Sequence, residues 1–364
     1  MTAAARRPAP GGWAERCRRC GRTWEPADRR WLCTCGGLLD LEGPPLDPLP
    51  AGEGPRSVWR YRHVLPVAGD GTAWERTTMG EGDTPLLEIR PGLWLKLDHV
   101  MPTGSFKDRG AAVTVALAAG LGVRRVVADS SGNAGLAVAA YSARAGLHAE
   151  VYVPEGTAPF KVEAMEAHGA AVVRVPGSRE AAAAAARERA GSPAGGAWYA
   201  SHVYQPAFVH GVKTLAFELW EQLGRRAPGT VIVPAGNGTL VLGLGTGFGE
   251  LQAAGRVPAP PAIVAVQAER CAPLAGREPG GPTVAAGIAI AEPPRAEQVR
   301  AAVAASGGQV VTVGEDAIVA ARAGLGRLGV RVEPTAAVGW AAWAGGAGAW
   351  RPPVVVVLTG RNAA

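Results

Sequence analysis

Short, unbroken apolar runs most limit the folds open to this chain. Val231-Ile232-Val233, Ile263-Val264-Ala265-Val266 and Val354 to Leu358 are too brief for helices and lack the polar alternation of a half-exposed strand. They read as strands covered on both faces, the mark of a parallel sheet. Further strand patterns at Leu93 to Leu97, Val126 to Ala128, Ala149 to Val153 and Ala171 to Val175 alternate with helical stretches. Those stretches are Gly110 to Gly122, Ala134 to Ala145, Phe160 to His168, Glu180 to Ala190 and Lys213 to Leu223, the last with Leu215, Leu219 and Leu223 on one stripe. Such alternation from Trp74 onward predicts right-handed βαβ units and an α/β fold. With 364 residues the chain has room for one large core or two linked lobes. Thr230 to Gly249 is the longest uncharged stretch, but six glycines with interior Pro234 and Asn237 suit strand–loop–helix and not a membrane span. Met1 to Pro10 lacks the apolar core of a signal peptide, so a cytoplasmic location is expected.

Ligands of open parallel sheets sit beyond the carboxyl ends of the strands. Four segments have that placement. Pro102-Thr103-Gly104-Ser105-Phe106-Lys107-Asp108-Arg109-Gly110 joins a strand to a helix, so Lys107 lies where unpaired backbone N–H groups oppose its protonation. A lysine so held is suited to form a Schiff base with an aldehyde, and it is one of only four in the chain, with Lys96, Lys161 and Lys213. A solvated charge cluster on a capping loop is the plainer reading. Asp129-Ser130-Ser131-Gly132-Asn133-Ala134-Gly135 gathers hydroxyls, an amide and free N–H groups at a helix start, which suits a carboxylate or simple capping. Pro234-Ala235-Gly236-Asn237-Gly238-Thr239-Leu240 lets several N–H groups turn toward one anion, although tight strand–helix turns need glycines in any case. Leu358-Thr359-Gly360 closes the last strand, where a threonine also satisfies its own backbone.

Four of the five cysteines lie together as Cys17-Arg18-Arg19-Cys20 and Cys33-Thr34-Cys35, each pair followed by glycine. Two such turns resemble a zinc ribbon, closed, four-coordinate and structural, with a disulfide or a metal-free remnant as the other readings. The excess of 37 basic over 31 acidic residues, +6, would suit an anionic partner. Arginine supplies nearly all of it in a chain rich in Gly, Pro and Ala, so nucleic-acid binding is a poor reading outside the arginine-rich ribbon.

PTGSFKDRG is similar to the Schiff-base lysine motif of fold-type II pyridoxal-phosphate enzymes, most closely that of threonine synthases. The resemblance extends from Gly80-Glu81-Gly82-Asp83-Thr84-Pro85-Leu86 to Leu358-Thr359-Gly360. It implies two lobes, each an open, mostly parallel sheet flanked by helices, beside a small N-terminal zinc ribbon. The expected layout is a ribbon over 1–42, a linker and the start of the large lobe over 43–94, a small lobe over 95–205 and the large cofactor lobe over 206–364. Pyridoxal phosphate would be held by Lys107, by Gly236, Asn237, Gly238 and Thr239 around its phosphate, by Asn133 at its phenolic oxygen and by Thr359 at its pyridine nitrogen. Ser130, Ser131 and Gly132 would hold the substrate carboxylate. Cys17, Cys20, Cys33 and Cys35 would hold zinc. Glu333-Pro334-Thr335 and Gly287-Ile288-Ala289-Ile290 resemble stretches lining the cofactor face. The implied protein is a homodimer acting on a small amino acid, with no membrane or nucleic-acid partner.

Three departures weaken the substrate assignment. Gln205-Pro206-Ala207-Phe208 stands where many threonine synthases carry an arginine for the substrate phosphate. The cup reads GNGT, and the tail Arg361-Asn362-Ala363-Ala364 is unusual for the family. Lys161, Arg109, Ser201 and His202 are the candidate replacement donors, with Arg109 the more structural of them. Conversion of O-phosphohomoserine and water to threonine is the leading expectation. β-Elimination or β-replacement on serine-type substrates is the alternative, and a non-catalytic protein that kept the fold is a third reading.

Overall fold

The computed structural model describes residues 12–46, 54–69, 71–191 and 197–362. Met1 to Pro10, residues 47–53 of the proline-rich linker, and Ala363 and Ala364 of the tail lie outside these. The chain opens with three short antiparallel strands, β1 (Ala14–Cys17), β2 (Thr23–Trp24) and β3 (Leu39–Glu42), with β1 in the middle. Then come β4 (Leu86–Arg90), β5 (Leu93–Lys96), α1 (Lys107–Gly120), β6 (Arg125–Ala128), α2 (Asn133–Ala145), β7 (His148–Pro154) and α3 (Pro159–Glu166). They are followed by β8 (Ala171–Val175), α4 (Arg179–Gly191), β9 (Ala197–Tyr199), α5 (Pro206–Gln222), β10 (Thr230–Pro234), α6 (Thr239–Ala253) and β11 (Ala262–Ala268). The rest is α7 (Ala296–Ala305), β12 (Gln309–Val313), α8 (Glu315–Arg327), α9 (Pro334–Ala344) and β13 (Val354–Val357).

These elements form two compact units. The first comprises Met1–Gly54, Trp59–Met79 and Gly110–Phe208, the second Pro55–Val58, Gly80–Arg109 and Val209–Ala364. In the first, four parallel strands run in the order β8-β7-β6-β9. From Ala111 to Ala119 helix α1 is buried on every side, which its uninterrupted Ala/Val/Leu composition permits. The alanine-rich α4 buries only Ala182 and Ala186. The linker is tied down by aromatics, since Trp59 and Tyr61 are fully buried and the rings of Trp59 and Trp74 lie 5.8 Å apart.

The second unit holds six strands in the order β12-β11-β10-β13-β5-β4, parallel except for β4 against β5. Every residue of β10, β11 and β13 is buried, as their unbroken apolar runs require. Ile232, Val264, Val266 and Val356 share a core with Ile318 and Leu325 of α8 and Ala337 and Val338 of α9. Helix α5 begins at Pro206, well ahead of the stripe that starts at Lys213. Proline reads as a breaker in sequence but fits the first turn of a helix, whose N–H groups have no intrahelical acceptor.

Candidate active site

Backbone hydrogen bonds bring several of the singled-out segments together in the second unit. Strand β13 lies parallel beside β5, so the chain leaving each arrives at the same carboxyl end of the sheet. There the Phe106 N–H donates to the Thr359 carbonyl at 2.9 Å, and the Arg361 N–H to the Gly104 carbonyl at 3.0 Å. Thr359 and the turn before Lys107 are therefore joined directly. The Glu333 N–H donates to the Gly360 carbonyl at 3.0 Å, which draws in the start of α9. Thr335 Oγ1 accepts from the Gly287 N–H at 3.1 Å, and a Cβ on Gly236 would stand 3.0 Å from the Ile288 Cα. Lys107, Thr359, Glu333 to Thr335, Gly287 to Ile290 and Gly236 thus form one connected rim.

Lys107 is the first residue of α1 and is half-buried, its Nζ 4.7 Å from the Phe106 ring centroid. Two residues earlier, the fully buried Ser105 hydroxyl has no hydrogen-bond partner among the described residues. Asp108 accepts from the Thr103 N–H at 2.7 Å and from the Thr103 hydroxyl. Burial still pushes its carboxyl up to about 7. Across the rim, Gly236, Asn237 and Gly238 precede the fifteen-residue α6, whose first residue, Thr239, is 5% exposed. Gly238 has φ +77°, and a Cβ there would fall 2.1 Å from Val299 Cγ2, so no other residue fits. The rim thus offers an amine, a helix N-terminus fronted by two glycines and Asn237, a buried hydroxyl and the Thr359 hydroxyl. Those are the groups an aldehyde-bearing phosphate ester with a ring nitrogen requires.

Beneath Lys107 lies a network that sequence reading did not assemble. Arg109 is fully buried and donates to Asp98 at 2.8 and 2.9 Å, to Glu218 at 2.5 and 2.7 Å, to Thr214 at 3.1 Å and to Thr84 at 3.3 Å. Lys96, also fully buried, donates to Glu218 at 2.7 Å, to Gln222 at 2.9 Å and to the Thr84 carbonyl at 2.7 Å. Two cations thus face two carboxylates. Burial alone would raise Glu218, but Arg109 and Lys96 hold it well below the usual carboxylate range. Glu218 also accepts from the Asp83 N–H at 2.8 Å, and Asp83 holds φ +47°. Glu218 therefore fixes the Gly82-Asp83-Thr84 turn, while Arg109 is used up internally. Lys96 among leucines and Glu218 beside the Leu215–Leu219 stripe were the signals available in sequence.

The remaining candidates lie in the first unit. The loop Asp129 to Gly132 leaves β6 and enters α2 at Asn133, with the Gly132 N–H donating to Ser130 Oγ at 3.3 Å. Ser130, Ser131 and Asn133 are half-buried and Gly132 is exposed. A Cβ on Gly135 would stand 1.9 Å from the Ser130 carbonyl oxygen, so this turn closes only on glycine. Lys161 sits half-buried in the first turn of α3, after the neighbouring parallel strand β7, with Nζ 5.8 Å from the Phe160 ring. Ser201 and His202 are buried, 1% and 7% exposed. Phe208 is fully buried, and a Cβ on Gly110 would fall 2.1 Å from its ring, so it serves as core.

The four N-terminal sulfurs all lie within 4.8 Å of one another, with Cys17–Cys35 at 3.5 Å and Cys20–Cys33 at 3.6 Å. Sulfurs bound tetrahedrally at about 2.3 Å from an ion stand ~3.8 Å apart, whereas a disulfide needs about 2 Å. The Cys35 N–H aimed at its sulfur brings the Cys33 thiol down to about 6. Against the Gly37 N–H, burial and the neighbouring sulfurs push the Cys35 thiol up to about 11, and a cation shared by the four would favour the thiolate at each. Gly37 leaves room, since a Cβ there would fall 2.6 Å from Cys17 Sγ. The cluster is suited to one four-coordinate ion. No helix among the described residues is long and apolar enough to cross a membrane.

Comparison with known proteins bears on this geometry. Residues 77–360 match the family described as pyridoxal-phosphate dependent enzyme. The chain is 33% identical over 349 residues to the threonine synthase of Methanocaldococcus jannaschii, covering 89% of this chain and 85% of that one. It is 31% identical over 299 residues to that of Synechocystis sp., covering 76% and 74%. Among solved structures it is similar to a threonine deaminase from T.th., at 28% identity and a TM-score of 0.67, covering 80% of this chain and 97% of that one. A pyridoxal 5'-phosphate-dependent aspartate racemase, 23% identical with a TM-score of 0.66 and covering 82% and 97%, shares the fold.

Proposed function

Since the chain belongs to the pyridoxal-phosphate dependent enzymes and, within them, to the threonine synthases, we propose that it converts O-phosphohomoserine and water to threonine and phosphate. The observation that carries a catalytic reading is the rim in which backbone hydrogen bonds join the Lys107 turn to Thr359 and Glu333, with the α6 cup brought alongside by the close approach of Gly236 to Ile288. Lys107 would hold pyridoxal phosphate, Gly236 to Thr239 its phosphate, Thr359 its ring nitrogen and Asn133 its phenolic oxygen. When bound, that group withdraws electrons from the amino acid and so acidifies its carbon-bound hydrogens. Lys107 would move protons at Cα and Cβ of the substrate. Ser130, Ser131 and Gly132, at the start of α2, hold the substrate carboxylate.

The substrate phosphate needs a donor of its own. Phe208 is core and every donor of Arg109 is taken, which leaves Lys161 as the cation we assign to it. Supplying O-phosphohomoserine should release phosphate and threonine in equal amounts. Lys161→Ala should raise KM more than it lowers kcat. A second reading draws support from the likeness to a threonine deaminase and from the loss of a cation at Phe208. On that reading serine or phosphoserine turns over readily while O-phosphohomoserine yields no phosphate.

Cys17, Cys20, Cys33 and Cys35 would hold one structural zinc ion. With four protein ligands no position is left for water, so this ion takes no part in the chemistry.

A further inference from the structure

The cysteine cluster lies in the same unit as the carboxylate loop, and one tryptophan ties the two together. Trp31 stands two residues before Cys33. Its ring meets Tyr199 edge-on at 5.2 Å and Tyr204 edge-on at 5.5 Å, and the two tyrosines stack at 6.0 Å. Tyr199 is opposite Val127 in the β6–β9 pair and is 2% exposed. Both belong to a small core completed by Ala186 of α4, against which Trp31 and Tyr204 pack. Two residues beyond Val127 the chain becomes Asp129 and the loop Ser130 to Asn133. Next to Tyr199, the Ala200 N–H donates to the Val127 carbonyl at 2.8 Å, which ties β9 to β6 just ahead of that loop. The ribbon is further tethered where Arg29 Nη2 donates to the Leu121 carbonyl at 2.5 Å, just ahead of β6. Strand β6 is thus held by the ribbon near its start and, through Tyr199, near its end.

We infer that Trp31 and Tyr199 are positioning residues, through which the metal-bound ribbon fixes the Asp129 to Asn133 loop for the amino-acid carboxylate. The inference rests on the reading of that loop as the carboxylate seat. Neither residue touches substrate. Tyr199 pairs with Val127, the last β6 residue held by β9 and two before the loop, and Trp31 packs against the aromatic cluster from the ribbon side. The four thiolates fix Trp31 in turn, because its neighbour Cys33 is a ligand.

The test uses the full-length holoenzyme and three variants, Trp31→Ala, Trp31→Phe and Ser131→Ala. Trp31→Ala should raise KM for the amino acid roughly three- to tenfold, with kcat within about twofold, since ground-state and transition-state binding of the carboxylate weaken together. Amide hydrogen exchange should quicken in residues 129–136 and stay unchanged in residues 236–242. Trp31→Phe should restore both readouts, and removing the metal from wild type with a chelator should reproduce the exchange change. Unchanged exchange in 129–136 overturns the inference, and so does an equal loss in kcat and kcat/KM. If Trp31→Ala does not fold, the chelated wild type decides by the same exchange criterion. Ser131→Ala separates the two readings. If it leaves KM unchanged while Trp31→Ala loosens the loop, the loop is positioned as inferred and the carboxylate assignment is what fails.

Discussion

Replacing Glu218 by glutamine tests the buried charge network beneath Lys107. The side chain keeps its size but loses its charge, leaving Lys96 and Arg109 with Asp98 alone. A fully buried pair broken from one side costs about 3–5 kcal/mol, since the surviving charge stays desolvated. In a unit of this size that corresponds to a fall of about 6 °C or more in Tm. Burial already lowers the Lys96 pKa while Glu218 raises it, so the variant should lower it further. A lysine with a lowered folded pKa binds fewer protons folded than unfolded, so stability rises with pH up to the unfolded value. The deficit of Glu218→Gln should therefore shrink as pH rises toward about 10. Adding Lys96→Met returns the cluster to neutrality, and the double variant should be at least about 1 kcal/mol more stable than the sum of the single losses. Denaturant titration of the four proteins measures this. A Glu218→Gln loss under about 1 kcal/mol, or strict additivity, would refute the account.

Lys107→Ala should abolish the visible absorption of purified protein, and borohydride should link the cofactor in wild type to the peptide bearing Lys107 alone. Gly238→Ala should cost more than about 2 kcal/mol and remove cofactor affinity, measured by titration with pyridoxal phosphate, because φ +77° and Val299 both exclude a Cβ. Cys17→Ser should release metal, measured by elemental analysis, and lower stability while sparing turnover per folded molecule. Asp108, raised to about 7, binds more protons folded than unfolded between about pH 4 and 7. Its contribution to stability therefore falls as pH rises through that window, and Asp108→Asn should flatten the slope seen in denaturation series.

Strands β10, β11 and β13 were legible because burial on both faces leaves unbroken apolar sequence. Strand β12, at the sheet edge, buries only Val313 and carries Gln309 and Thr312, so its pattern is diluted. Helix α8 was unread for the same reason, burying only Ile318, Ala321 and Leu325. Within the site, the glycine-rich turns announced themselves because positive φ and close backbone approach exclude other residues at Gly238 and Gly135. That Phe106 meets Thr359 follows from β5 pairing with β13, a long-range event with no local trace. The salt network was hidden likewise, since Asp98 and Glu218 stand far apart in sequence and are bridged by Arg109.

The place of β13 has a consequence for how the protein is made. Strand β13 follows all the other strands of its sheet in chain order, yet it lies between β10 and β5. Until residues 354–357 emerge, the second sheet exists as two fragments, β12-β11-β10 and β5-β4, each with an unpaired apolar edge. The four-stranded sheet of the first unit draws only on residues 125–199 and can close while the chain is still growing. Thr359 and the hydrogen bond that steadies the lysine loop arrive with β13. The turn before Lys107 thus gains its bond to Thr359 only once β13 is in place, and a chain that stops short of β13 has a first unit able to fold and a second left open and aggregation-prone.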